Sequence, residues 1–299
     1  YGSTPLLYGQ YYDAPFELKT SKYWAPLDGK YKKVDGPVDA KYLSEGKMLF
    51  PRMWSSSPDG RYEEFYEYYT DGKGTKLPGS THRKPTMGAN LHYFFDYQMN
   101  WMYWRYFMWN FVGRQNQVHA PNPGDIFHGN WESGVKFIDE FRLGDQSDAP
   151  AVLAEDKGKN HYYFLPLLLG LLGLFFQFDR DKRGCWLNFL MFFMTGIAIV
   201  IYLNQPPYQV RERDYAYAGS FYFFCVWIGM AVAAIYSLLE KALKGKGGVT
   251  VSALTTVACL CVPVLMAAQN WDDHDRSNRR TAVEMATNYL NSVGENGIL

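Results

Sequence analysis

Four apolar stretches break up an otherwise polar, tyrosine-rich chain: residues 162–178 (YYFLPLLLGLLGLFFQF), 185–203 (CWLNFLMFFMTGIAIVIYL), 218–239 (AGSFYFFCVWIGMAVAAIYSLL) and 249–268 (VTVSALTTVACLCVPVLMAA). A hydrocarbon core of ~30 Å takes ~20 helical residues at ~1.5 Å each, and lipid leaves no other way to satisfy the backbone. The pattern therefore predicts four spanning helices. Pro166 falls in a first turn, where it costs little, and Pro263 is deep enough to kink its helix. The connections DRDKRG (179–184) and EKALKGKGG (240–248) are rich in Lys and Arg and belong on the cytoplasmic side. The second connection, residues 1–160 and the tail after Asn270 then face outward.

A fifth stretch, Leu91–Val112 (LHYFFDYQMNWMYWRYFMWNFV), is also long enough to span. At ~100° per residue, Asp96, Asn100, Tyr103, Asn110 and Arg114 share one side, with Gln98 and Arg105 opposite and three tryptophans between. That distribution predicts a helix along the membrane surface or against the other helices. It either packs as an amphipathic element or walls a substrate cleft through Arg105, Asn110 and Arg114. Upstream, the Asp-Gly turns in 27–37 and 57–74, flanked by Tyr and Phe, predict a small antiparallel element. Residues 114–146 read as a loop and then a short helix.

The fold class is thus mainly α: a polytopic helical membrane protein with four spans, an outward α+β, aromatic-rich loop domain and an interfacial amphipathic helix. Its expected parts are an outward loop and β region (1–90), the interfacial helix with a connecting segment (91–160), the transmembrane region (161–269) and the start of a C-terminal extracytoplasmic domain (270–299). The chain opens at Tyr1 and stops at GENGIL, and is read as an internal fragment.

Thirty basic and thirty acidic residues balance, which removes the electrostatic footprint of a nucleic-acid partner. Cys185, Cys225, Cys259 and Cys261 all fall in apolar runs and form no disulfide or zinc pattern. His119 and His128 lack a third ligand, and Asp272, Asp273, His274 and Asp275 read as complements to the dipole of a following helix. No metal site and no cofactor are expected, with a divalent cation left open. Walker, G-x-S-x-G and H-E-x-x-H motifs are absent from the sequence.

The densest charge lies in the second, outward connection, NQPPYQVRERDYAYAG (204–219). Pro206 and Pro207 forbid continuing the helix before it and favour an extended path. Alternation then puts Arg211 and Arg213 on one face, Glu212 and Asp214 on the other. Two guanidiniums side by side suit a phosphate, such as a lipid-linked one at this depth, with Tyr208 and Tyr215 as interfacial or sugar-stacking support. The alternative is that the four charges pair with one another and with head groups, pinning two helices.

The segments YGQYYDAPF (8–16), LFPRMWS (49–55), YQMNWMYWRYFMWNFVGRQNQ (97–117), GNWESGVKFIDEFRLG (129–144), NQPPYQVRERDYAYAGSF (204–221) and NWDDHDRSNRRTA (270–282) carry a family resemblance. They resemble bacterial multi-pass membrane proteins long labelled only as a domain of unknown function, now grouped with protein O-mannosyltransferase-like, C-type-fold glycosyltransferases. The resemblance implies transfer of a sugar from a polyprenyl-phosphate donor, at the outer membrane face, to an extracytoplasmic acceptor, often a Ser or Thr hydroxyl. It implies an acidic catalytic base in a first outward loop upstream of this chain, and Arg211 and Arg213 as donor-phosphate ligands. The rival expectation is a non-catalytic membrane scaffold of an envelope assembly.

Overall fold

The structure is a computed structural model that describes residues 6–54, 61–119, 123–207, 214–244, 248–294 and 297, the side chains of Arg61 and Asp214 excepted. The polar half begins with a short ladder, β1 (Tyr8–Gln10) against β4 (Lys47–Leu49), from which a long hairpin projects, β2 (Phe16–Leu27) against β3 (Lys30–Tyr42). The hairpin turns at Asp28 and Gly29, both at positive φ, as Asp-Gly does in tight hairpins. Residues 61–70 depart from the expected strand and form α1 (Arg61–Thr70). Phe65, Tyr66 and Tyr69 recur with the helical period and are buried together, so the period of 3.6 overrides the strand preference of Tyr and Phe.

The aromatic helix runs as α2 (Met87–Tyr93), a π-helical segment (Phe94–Trp104) and α3 (Arg105–Phe111). It lies across one end of the bundle. Gln98 donates to Asn204 and Gln205, Tyr103 to Ser220, and Val112 accepts from the Tyr162 amide, so successive turns visit successive helix ends. Tyr93, Tyr97 and Trp101 join the core of the polar half, while Phe94, Met99, Tyr103, Phe107 and Phe111 join that of the bundle. Burial from both sides explains a segment as apolar as a span that does not cross. Tyr103, expected beside Asp96 and Asn100, is fully buried instead, because i→i+5 hydrogen bonding rotates the faces away from ~100° per residue.

Beyond β5 (Gly113–Arg114), α4 (Lys136–Leu143), α5 (Ala151–Ala154) and β6 (Asn160–His161) come α6 (Leu165–Arg180), α7 (Lys182–Met194), α8 (Ile197–Leu203), α9 (Ala218–Ala242), α10 (Gly248–His274) and α11 (Thr281–Ser292). Among the described residues three helices are long and apolar enough to cross a membrane: Lys182–Leu203, Ala218–Ala242 and Gly248–His274. The chain is a mainly helical protein of membrane type. The first of the four expected spans is not among these three helices, because Phe164 takes a left-handed conformation and starts α6 only at Leu165, leaving 16 residues, or about 24 Å. Pro166 sits in that first turn, as expected, and α10 continues through Pro263.

Helices α6 and α9 run side by side in the same direction. A side chain at Gly170 would overlap the Phe224 ring and one at Gly173 the Trp227 carbonyl, so two glycines one turn apart set this contact. Gln177 accepts from the Trp227 indole at 2.8 Å, which satisfies the polar atoms buried there. Helix α7 returns antiparallel, with Asn188 donating to the Phe223 carbonyl and Phe192 against Phe224 and Trp227. The basic connections after α6 and after α9 therefore lie at the end of the bundle away from the polar half.

Candidate functional site

The connection after α8 is fastened beneath the polar half by buried polar groups. Asn204 adopts a left-handed conformation that ends α8, donates to the Pro51 carbonyl and accepts from Gln98. Fully buried Arg52 donates to the carbonyls of Ile201 and Leu6 and lies 4.0 Å over the Phe50 ring, a cation against the negative end of α8. Burial pushes its guanidinium down to about 10. Gln205 is also buried, and neither atom of its side-chain amide has a hydrogen-bond partner. Pro207 lines a small aromatic pocket with Trp54, Tyr62 and Tyr93. On the far side of the connection, Asp214–Ala216 forms a 3-10 turn, Tyr215 is exposed and Tyr217 is buried against Tyr103. Tyr208, Arg211, Glu212 and Arg213, four of the residues singled out in the sequence, lie outside the described residues.

A second construction stands at the other end of the aromatic helix. Gly113 and Arg114 pair with Asn160 and His161 on one side and with Trp131 and Glu132 on the other, giving three very short strands in register. Gly113 has φ +137°, and a side chain there would overlap the carbonyls of Glu132 and Asn160. With no side chain between them, Glu132 and His161 meet over Gly113, Oε1 to Nε2, at 3.2 Å, and Lys159 approaches Glu132 at 3.4 Å. Burial raises the Glu132 carboxyl, but His161 and Lys159 outweigh it and hold the group below the usual carboxylate range. Both Glu132 and His161 border an open hollow of about 330 Å³ lined also by Asp139, Glu140 and Ser147.

Arg114 and Asn160 point to the opposite face, into a cleft of about 540 Å³. Its walls are Tyr106, Trp109 and Asn110 from the aromatic helix, Tyr162, and Asn270, Trp271 and His274 from the last turns of α10. Arg114 is fixed: it donates to the Gly158 carbonyl at 2.7 Å, pairs with Asp273 at 3.1 Å and lies 5.5 Å over the Trp109 ring. Asn160 and the His161 amide bond to Asn270 and Gln269, which stitches α10 to the strands.

Of the three residues expected to wall a cleft, Asn110 and Arg114 do so and Arg105 does not. Arg105 is buried on the other side of the helix, where it donates to the Trp101 and Gly129 carbonyls and sits 4.1 Å over Trp101. The acidic run 272–275 also differs from expectation. Asp272, Asp273 and His274 end α10 instead of starting the next helix, and Asp272 and Asp273 reach back to Lys157 and Arg114. Gln115 and Asn116 prove to be buried braces of the 125–131 loop. Glu132, His161, Asn160 and Trp271 escaped the sequence reading, although Glu132 and Trp271 stand inside the GNWESG and NWDDHD segments.

One protein-family profile, described as a family of unknown function (DUF8416), matches residues 2–95, which is the polar half up to the start of the π-helical segment. No curated protein and no solved structure matches the chain.

Proposed function

We propose that the chain is part of a glycosyltransferase of the bacterial cytoplasmic membrane, moving a sugar, mannose-like, from a polyprenyl-phosphate donor to an extracytoplasmic acceptor such as a protein Ser or Thr. In this reading residues 1–160 and 270–299 face the periplasm, and the bilayer also surrounds α6, whose Leu168, Phe175 and Phe178 are exposed along the bundle. The donor phosphate is held by Arg211 and Arg213, with Glu212, Asp214, Tyr208 and Tyr215 as polar support. Stabilising a departing lipid phosphate is electrostatic catalysis, strongest where water is scarce. One observation carries the proposal. Both flanks of the Arg-rich segment, Asn204 to Pro207 and Tyr217, are fastened at the same end of a membrane bundle, directly beneath the polar half. A single arginine in lipid costs ~2.5–3.5 kcal/mol, so two arginines there need an anionic partner or water.

A scaffold is the second reading, and the β2–β3 hairpin favours it. Leu18, Trp24, Tyr31 and Val38 are exposed on a two-stranded element that is marginal in water by itself. A photoactivatable polyprenyl-phosphate sugar, irradiated in native membranes, separates the two. Transferase function predicts adducts within residues 204–217 that disappear in the Arg211→Ala, Arg213→Ala variant. Equal labelling of both proteins, or none, favours the scaffold.

A further inference from the structure

We propose that the cleft between the aromatic helix and the end of α10 is a binding site for a neutral saccharide, and that the acceptor is a molecule presenting one. The assignment of the ligand as acceptor rests on the transferase reading; the binding does not. Four aromatic rings, Tyr106, Trp109, Tyr162 and Trp271, line a space large enough for a small-molecule ligand. Tyr106 and Tyr162 are buried, while exposed Trp271 and half-buried Trp109 can pack on the C–H faces of pyranoses, burying apolar area at little cost in conformational entropy.

The polar groups between the rings are mainly amides. Asn160 and Asn270 spend their amides on each other, on the Arg114 amide and on Tyr162, which leaves Asn110 as the amide that can meet a hydroxyl from the cleft. Asn110 is exposed and uses only its Nδ2, on the Tyr106 carbonyl.

Charge selects among saccharides. The cation in the wall, Arg114, is neutralised by Asp273, with both side chains largely buried at 17% and 13% exposure. Its Nε donates to the Gly158 carbonyl and its charge is already matched by Asp273, so a carboxylate or phosphate meets no net positive charge on it. A uronic acid or a lipid phosphate would leave its charge uncompensated there, whereas a neutral sugar would not.

Calorimetric titration of the detergent-solubilised protein with mannotetraose, cellotetraose and, as the acidic counterpart, a hyaluronan tetrasaccharide tests this. Trp271→Ala and Asn110→Ala are the variants, since both side chains are exposed and the fold does not depend on them. Trp186→Ala, exposed on α7, is the control. Saturable binding of a neutral tetrasaccharide, weakened about tenfold by Trp271→Ala and unchanged by Trp186→Ala, is expected. No neutral binding, preference for the acidic sugar, or indifference to both cleft variants overturns the proposal. Binding that passes this test in a protein that transfers no sugar would refute the transferase reading and leave the cleft assignment standing.

Discussion

Glu132 shows how strand register brings together side chains from separate segments. Its carboxylate meets His161 across Gly113, whose strand pairs with both of theirs, and its titration follows from that contact. A carboxyl whose folded pKa is depressed contributes stability above its ordinary value near 4.5, and that contribution is lost as pH falls through the folded value. Melting temperatures of the solubilised protein should therefore fall on acidification below about pH 4.5 more steeply in wild type than in Glu132→Gln. At neutral pH the variant should be the less stable by about 1 kcal/mol or more, since Lys159 and His161 lose their buried partner. Identical acid limbs in the two proteins would remove Glu132 from the account. This arrangement was not legible in the sequence, because residues 113, 132 and 161 come from three separate segments and their meeting depends on strand register. Asn110 and Arg114 were legible as cleft residues, being near one another on a strongly patterned helix. Arg105 was assigned with them because a polar residue within an apolar helix reads the same whether it meets a ligand or a backbone carbonyl.

At the level of elements, length and close packing decide what pattern alone leaves open. The aromatic helix has the composition of a span and lies across the bundle, because the polar half supplies a second apolar surface for Tyr93, Tyr97 and Trp101. Sequence pattern identified α7 with α8, α9 and α10 correctly, since lipid demands long uninterrupted apolar runs. It extended α6 by three residues too many, having no means to foresee the consecutive positive φ values of Tyr163 and Phe164. Residues 61–70 were misassigned because Tyr and Phe favour strands while their spacing favours a helix. The contact of α6 with α9 depends on Gly173, against which the Trp227 carbonyl packs. Gly173→Leu should separate these helices and destabilise the bundle by about 2 kcal/mol or more. A disulfide engineered between α6 and α9 should then form more slowly in the variant; unchanged cross-linking and melting would show that the glycine is dispensable.

The whole molecule places a polar, aromatic-rich half over one end of a membrane bundle and leaves its basic connections at the other. Between the two, the aromatic helix joins the fastened flanks of the Arg-rich connection at one end to the tryptophan and asparagine cleft at the other. On the function proposed above, a lipid-linked phosphate and a sugar-bearing acceptor are the ligands of these two places. The most direct measurement is transfer of labelled sugar from polyprenyl-phosphate donors to envelope proteins, made with the protein in native membranes. It compares wild type with the Arg211→Ala, Arg213→Ala variant at equal expression. A transferase with its phosphate site at Arg211 and Arg213 gives transfer by wild type that collapses in the variant; absence of transfer by wild type from every donor tried, or undiminished transfer by the variant, would contradict that function.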